Sequence, residues 1–220
     1  MIRVAIPILF VAGISVAGAQ QTNKPEAGDN NIIQPAVSDV LAVVNSQGRV
    51  EIATSADQWQ PRRRAIKLAM ESVMGKLPRG MNRGSPKMVV LEEVDCESYV
   101  RKKITYQSQP NCQTPAYLCI PKGVGEASSK VPAALCLHPT DNKVGHDVVV
   151  GLGGKPNRQY ASELAERGYV TLAPSYPLLA DYQPDLEQLG WESGSLKAVW
   201  DNIRGIDLLQ SLPFVDDHAI

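Results

Sequence analysis

The chain has 220 residues, with 22 basic and 23 acidic side chains and a net charge of −1. That near balance gives no global drive toward nucleic acid, and the length suits one domain with a real core once terminal segments are set aside. The four cysteines include no Cys-x-x-Cys pair, which disfavours zinc-ribbon and thioredoxin-type chemistry.

Arg3 precedes a mostly apolar run, Val4 to Val16, and Ala17-Gly18-Ala19 supplies the small residues of a cleavage site. This is the pattern of a secretory signal peptide over residues 1–19. The run is short for a bilayer span, an N-terminal anchor being the alternative. The expected location is therefore secreted or periplasmic, with cleavage near Ala19 and no membrane association afterwards. Residues 20–56 read as a linker. Its first part, Gln20 to Val37, is dominated by Gln, Asn, Pro, Gly and Asp and has no apolar period.

Residues 57–86 read as an N-terminal helix and a joint. From Asp57 to Leu77, apolar Ile66, Ala69, Met70, Val73 and Leu77 share one helical face. Pro61 fits only a first turn, and Gly75 with Pro78 ends the helix. Arg62-Arg63-Arg64 reads as a solvated face rather than a nucleic-acid patch.

Residues 87–220 form the main domain. Lys87–Val94, Tyr99–Gln107 and Pro115–Pro121 are strand-like, the first two close enough for a hairpin through residues 95–98. Cys96 and Cys112 flank this region, where export would allow them to pair. Cys119 and Cys136 lie in apolar strand patterns and read as small core residues. Ala133–Leu137 is an unbroken apolar run, as in a strand covered on both faces. A helix over Pro156–Arg167, a strand over Tyr169–Ala173 and a helix over Ser195–Leu212 follow. That last helix offers Val199, Ile203, Ile206 and Leu209 to a core, with Ser195 as N-cap. The expected class is α/β: antiparallel strands leading into a mostly parallel sheet with crossover helices.

Chemistry in such sheets gathers beyond the carboxyl ends of the strands. His138-Pro139-Thr140 stands there, after Ala133–Leu137. The loop either aims backbone N–H groups at a developing oxyanion or simply turns the chain. Gly151-Leu152-Gly153-Gly154 suggests a phosphate cradle, but Pro156 stands where a dinucleotide fingerprint needs glycine, and no cofactor or metal is expected. The connection Ser175–Glu192 carries Tyr176, Tyr182, Trp191, Asp181, Asp185 and Glu192. Its length suits a lid or binding loop. Its aromatics could stack on a sugar or aryl ester, or equally cover helix ends. Asp181 and Asp185 give only a weak carboxylate-pair signal. His146 and His218 read as solvated.

The segment LCLHPT…GLGGKPNRQYASELAERGYVTLAPSYP resembles the α/β-hydrolase superfamily, in particular secreted bacterial members similar to dienelactone hydrolase and acetyl xylan esterase. The resemblance covers about Lys87–Ile220, and RRRAIKLAMESVMGKLP also looks like those members. It implies acyl transfer through a Ser–Asp–His triad, acting on a small-molecule or polysaccharide-linked carboxylic ester or lactone. It implies Thr140 as an oxyanion N–H donor, Asp141 as second choice, and His138 as an organiser of the loop rather than a base. No Gly-x-Ser-x-Gly elbow occurs beyond residue 19, and FVDDHAI looks like the approach to the elbow strand, apart from Ala219 where similar sequences carry a basic residue. The expectation is thus the N-terminal portion of a hydrolase fold, incomplete, with the triad beyond Ile220. Expressed alone, residues 20–220 would be inactive and poorly soluble, because the third strand would keep an open edge. Two other readings stand beside this one: a non-catalytic binding module on half of the fold, and a peptidase of the same superfamily. The sequence gives no oligomeric state.

Overall fold

The computed structural model describes residues 39–125 and 129–220. The expected signal peptide, and the linker up to residue 38, lie outside the described residues. Where the linker was expected to continue, β1 (Ala42–Val44) and β2 (Val50–Ile52) pair as a short antiparallel hairpin closed around Asn45 and Gly48.

Helix α1 spans Ala56–Met74, and the Ser55 hydroxyl caps it by accepting from Gln58 N–H at 3.3 Å. It starts at Ala56, one residue before the expected Asp57, and Pro61 falls inside the helix rather than in its first turn. The expected core face is largely open: Met70, Val73 and Leu77 are exposed, and the helix buries Arg62 and Ala65 instead. Arg62 therefore departs from the solvated run expected of it, whereas Arg63 and Arg64 are exposed.

The main sheet has five strands in the order β3-β4-β5-β7-β6. β3 (Met88–Cys96), β4 (Tyr99–Gln109) and β5 (Cys112–Pro121) form an antiparallel meander. β7 (Val170–Pro174) adds antiparallel to β5, and β6 (Ala133–Leu135) pairs parallel with β7. Among the described residues this is the one parallel pair of the sheet, so antiparallel strands lead into the start of a parallel part, as expected of an incomplete α/β fold. Cys96 and Cys112 lie opposite the two ends of β4, opposite Tyr99 and Gln109. Ten residues of extended strand put them roughly 30 Å apart, far beyond the ~7 Å Cα limit of a disulfide. All four cysteines are free thiols, and burial pushes Cys119 and Cys136 up to about 11 and 12.

Two clusters fill the core, one on each face. Tyr117, Cys119, Val148, Val149, Val150 and Ala161 pack with α2 (Tyr160–Glu166) and a 3₁₀ helix (Gly145–Val150). Ile104, Tyr106, Leu118, Leu172, Leu208 and Leu209 pack with α3 (Gly194–Ser211). Ser193, not Ser195, caps α3, accepting from Leu196 N–H at 3.2 Å. Its inner face also differs from the apolar pattern: Lys197, Trp200, Asp201, Arg204, Leu208 and Leu209 are buried, while Val199 is exposed. The charged residues can face inward because each is paired, Lys197 with Asp201 and Arg204 with Asp207.

The outer edge of β6 is partly occupied. Val131 N–H donates to Phe214 O at 3.0 Å, Asp216 N–H to Val131 O at 2.8 Å and Ala133 N–H to Ala219 O at 2.9 Å. Val215 bridges Val131 in parallel sense. FVDDHAI thus runs alongside β6, and covers part of the edge expected to stand open.

Candidate active site

Strand β6 delivers the His138-Pro139-Thr140 loop to the carboxyl end of the sheet. Tyr160, on α2, donates its hydroxyl to the Leu137 carbonyl and ties the strand end to the helix. His138 is buried, with both ring nitrogens engaged. Nε2 accepts the backbone N–H of Tyr176 at 3.1 Å, so it carries no proton, and Nδ1–H donates to the Pro139 carbonyl at 2.8 Å. Burial lowers the imidazole pKa, which keeps this neutral tautomer. A ring with no free nitrogen cannot take a proton from a nucleophile, so His138 organises the loop.

The side chain of Asp141 is also committed. Its Oδ1 accepts from Lys143 N–H and Val144 N–H, both at 2.8 Å, and these two bonds hold the carboxyl below its ordinary range. Thr140 is exposed, and among the described residues its backbone N–H donates to nothing. The loop therefore presents an unspent N–H at Thr140, between a clamped histidine and a turn closed by Asp141.

His146 contradicts the solvated reading. It is buried at the start of the 3₁₀ helix, with ring centroids 4.9 Å from Tyr117 and 6.4 Å from His138. Burial, then His138 and Lys103, push its pKa down to about 4, and Nε2 has no partner among the described residues. His218 is exposed, as expected. In the glycine run, a Cβ at Gly154 would come within 2.5 Å of Val148 Cγ2, so this residue closes the loop onto the 3₁₀ helix.

The Ser175–Glu192 connection lies over the same end of the sheet. Tyr176 packs on His138, with ring centroids 4.3 Å apart. Tyr182 and Trp191 turn inward and are buried, whereas Asp181, Asp185 and Glu192 are exposed. The Tyr182 hydroxyl meets Lys197, Asp201 and Thr114, and Lys197 and Thr114 both reach Ser108, a buried polar group that apolar periodicity passed over. The i, i+4 spacing of Lys197 and Asp201 was the available signal. Among the described residues, no serine, threonine or cysteine side chain hydrogen-bonds a histidine ring.

The sequence model of the Abhydrolase family matches residues 31–195. The chain belongs to the Abhydrolase family. Its fold is also that of a Bacteroides fragilis protein provisionally assigned as an acetyl xylan esterase, at 18% identity and a TM-score of 0.58, over 82% of this chain and 56% of that one. A weaker likeness links this Abhydrolase family member to acetyl xylan esterase 1 of Thermoanaerobacterium, at 14% identity and a TM-score of 0.44, over 62% of this chain and 44% of the other. The chain thus spans little more than half of the first structure and less than half of the second. No curated protein matches it significantly. The family and the mixed sheet together make this an α/β-hydrolase scaffold.

Proposed function

We propose that the chain supplies the oxyanion loop and supporting framework of a serine hydrolase acting on carboxylic esters or lactones, small or carried on a polysaccharide. The observation that carries this reading is the unspent Thr140 N–H at the carboxyl end of β6, held by the His138 clamp. In acyl transfer the carbonyl oxygen gains negative charge as the nucleophile attacks. A fixed backbone donor is then worth far more than in the ground state. His138, neutral and fully bonded, fixes the donor without exchanging protons.

The nucleophile, acid and base are proposed to follow Ile220 in the working enzyme, in the order Ser, Asp or Glu, His. On this reading residues 20–220 alone do not turn over esters. Export by the signal peptide at residues 1–19 belongs to the same proposal. The test is hydrolysis of p-nitrophenyl acetate by protein made with and without the sequence following Ile220. Turnover is expected from the longer protein alone, and equal turnover by the shorter one would refute the proposal. A non-catalytic binding module built on half of the fold is the second reading. An inert longer protein would support it.

A further inference from the structure

Behind the carboxyl end of the sheet lies a polar group that the proposed reaction does not use. Lys197 is fully buried and Asp201 is 1% exposed, one turn apart on α3 and ion-paired. Lys197 Nζ also donates to Ser108 Oγ, near the end of β4, and to the Tyr182 hydroxyl, both at 3.2 Å. The Tyr182 hydroxyl donates in turn to Asp201 Oδ2 at 3.1 Å, and Thr114 donates to Ser108 at 2.9 Å. Apolar residues of similar size often replace a buried ion pair at no loss of stability. Stability alone is therefore a poor reason for charges here, and what they hold is more informative.

They hold one end of a tight turn. Leu178 N–H donates to Tyr182 O at 2.8 Å, and Tyr182 N–H to Leu179 O at 3.1 Å. Within it, Leu178 (φ 66°) and Ala180 (φ 45°) occupy the left-handed region without being glycine. Such residues are strained and persist where the surroundings over-determine them. On its other side the turn presses on the candidate site. Ala180 lies against Gly145, where a Cβ would come within 2.8 Å of it, and Gly145 opens the 3₁₀ helix that follows the His138 loop. Two residues before the turn, Tyr176 N–H clamps His138.

We propose that Lys197 and Asp201 are positioning residues: by fixing the Tyr182 hydroxyl they hold the strained 178–182 turn against Gly145, and so fix the loop from His138 to Asp141. Their value to catalysis rests on the ester-hydrolase reading above, but their effect on the turn does not.

The test is residue-resolved amide hydrogen exchange on the full chain. Tyr182→Phe removes the hydroxyl alone. Lys197→Met combined with Asp201→Leu removes the pair without leaving a lone buried charge. In both, the amides of Tyr176, Leu178 and Tyr182 are expected to exchange at least tenfold faster, with Leu118 and Leu172 in the core strands unchanged. Adding Ala180→Gly to Tyr182→Phe relieves one left-handed residue and is expected to restore severalfold protection. Unchanged exchange at residues 176–182 in Tyr182→Phe would overturn the proposal. So would acceleration of the core strands by the same factor, which is a general loss of stability. Hydrolysis is not the readout, so an inert protein whose turn loosens as described would count against the ester-hydrolase reading alone.

Discussion

The backbone N–H of Tyr176 donates to Nε2 of His138 at 3.1 Å, joining the residue that leaves β7 to the loop that leaves β6. One bond thus fixes the imidazole tautomer, the entry to the 176–191 connection and the backbone that presents Thr140. His138→Ala removes a buried ring and two hydrogen bonds, and is expected to cost about 2–4 kcal/mol. Urea denaturation with an unchanged m-value would measure it.

The two buried histidines set an acid limit. Both are held neutral by burial, His146 at about 4 against 6.5 in the unfolded chain. A folded value below the unfolded one means that the unfolded state binds the proton first as pH falls. Stability is then full above about pH 6.5 and is lost progressively between there and about 4. The loss from His146 is on the order of 3 kcal/mol. Denaturation midpoints across this window should fall, and His146→Leu should flatten the slope. Equal slopes in both proteins would count against the buried neutral ring.

Gly145 combines φ +60° with the Ala180 methyl 2.8 Å from where a Cβ would stand. Gly145→Ala is expected to destabilise by about 1–3 kcal/mol through strain and overpacking together. By contrast, Gly48→Ala meets no atom within 4 Å and carries only the backbone penalty. Thermal unfolding of the pair separates the two terms.

Much of the architecture could be read from the chain, and the reasons are local. β4, β5 and β7 combine β-branched or aromatic residues with clear turn chemistry, and each forms close to its predicted span. The position of the HPT loop followed from the strand before it. The inner face of α3 did not, because Lys197, Asp201 and Arg204 look solvent-facing until their partners are known from the fold. His146 looked solvated for the same reason: nothing near it in sequence shows that Tyr117 and His138 enclose it. α1 fails in the opposite sense, its apolar period at Met70, Val73 and Leu77 being real but exposed among the described residues.

Cys96 and Cys112, at opposite ends of β4, should remain reduced. Thiol titration in denaturant without reductant is expected to find four free thiols per chain. A count of two would mean that one pair has formed, and would contradict the free thiols.

Thr140 is expected to act through its backbone and not its hydroxyl. In the catalytically competent protein, Thr140→Ala should keep ester hydrolysis within about threefold. Thr140→Pro, which lacks the N–H, should lower kcat about 10²–10³-fold. Equal losses in the two variants would remove Thr140 as the oxyanion donor.

The most direct measurement is to label the catalytically competent protein with a serine-directed fluorophosphonate and map the modified residue. The expected result is a labelled serine beyond Ile220, with Ser162, Ser175, Ser193 and every other serine of residues 39–220 unmodified. A labelled serine within residues 39–220 would contradict the view that this chain carries the supporting half of the site and not its nucleophile.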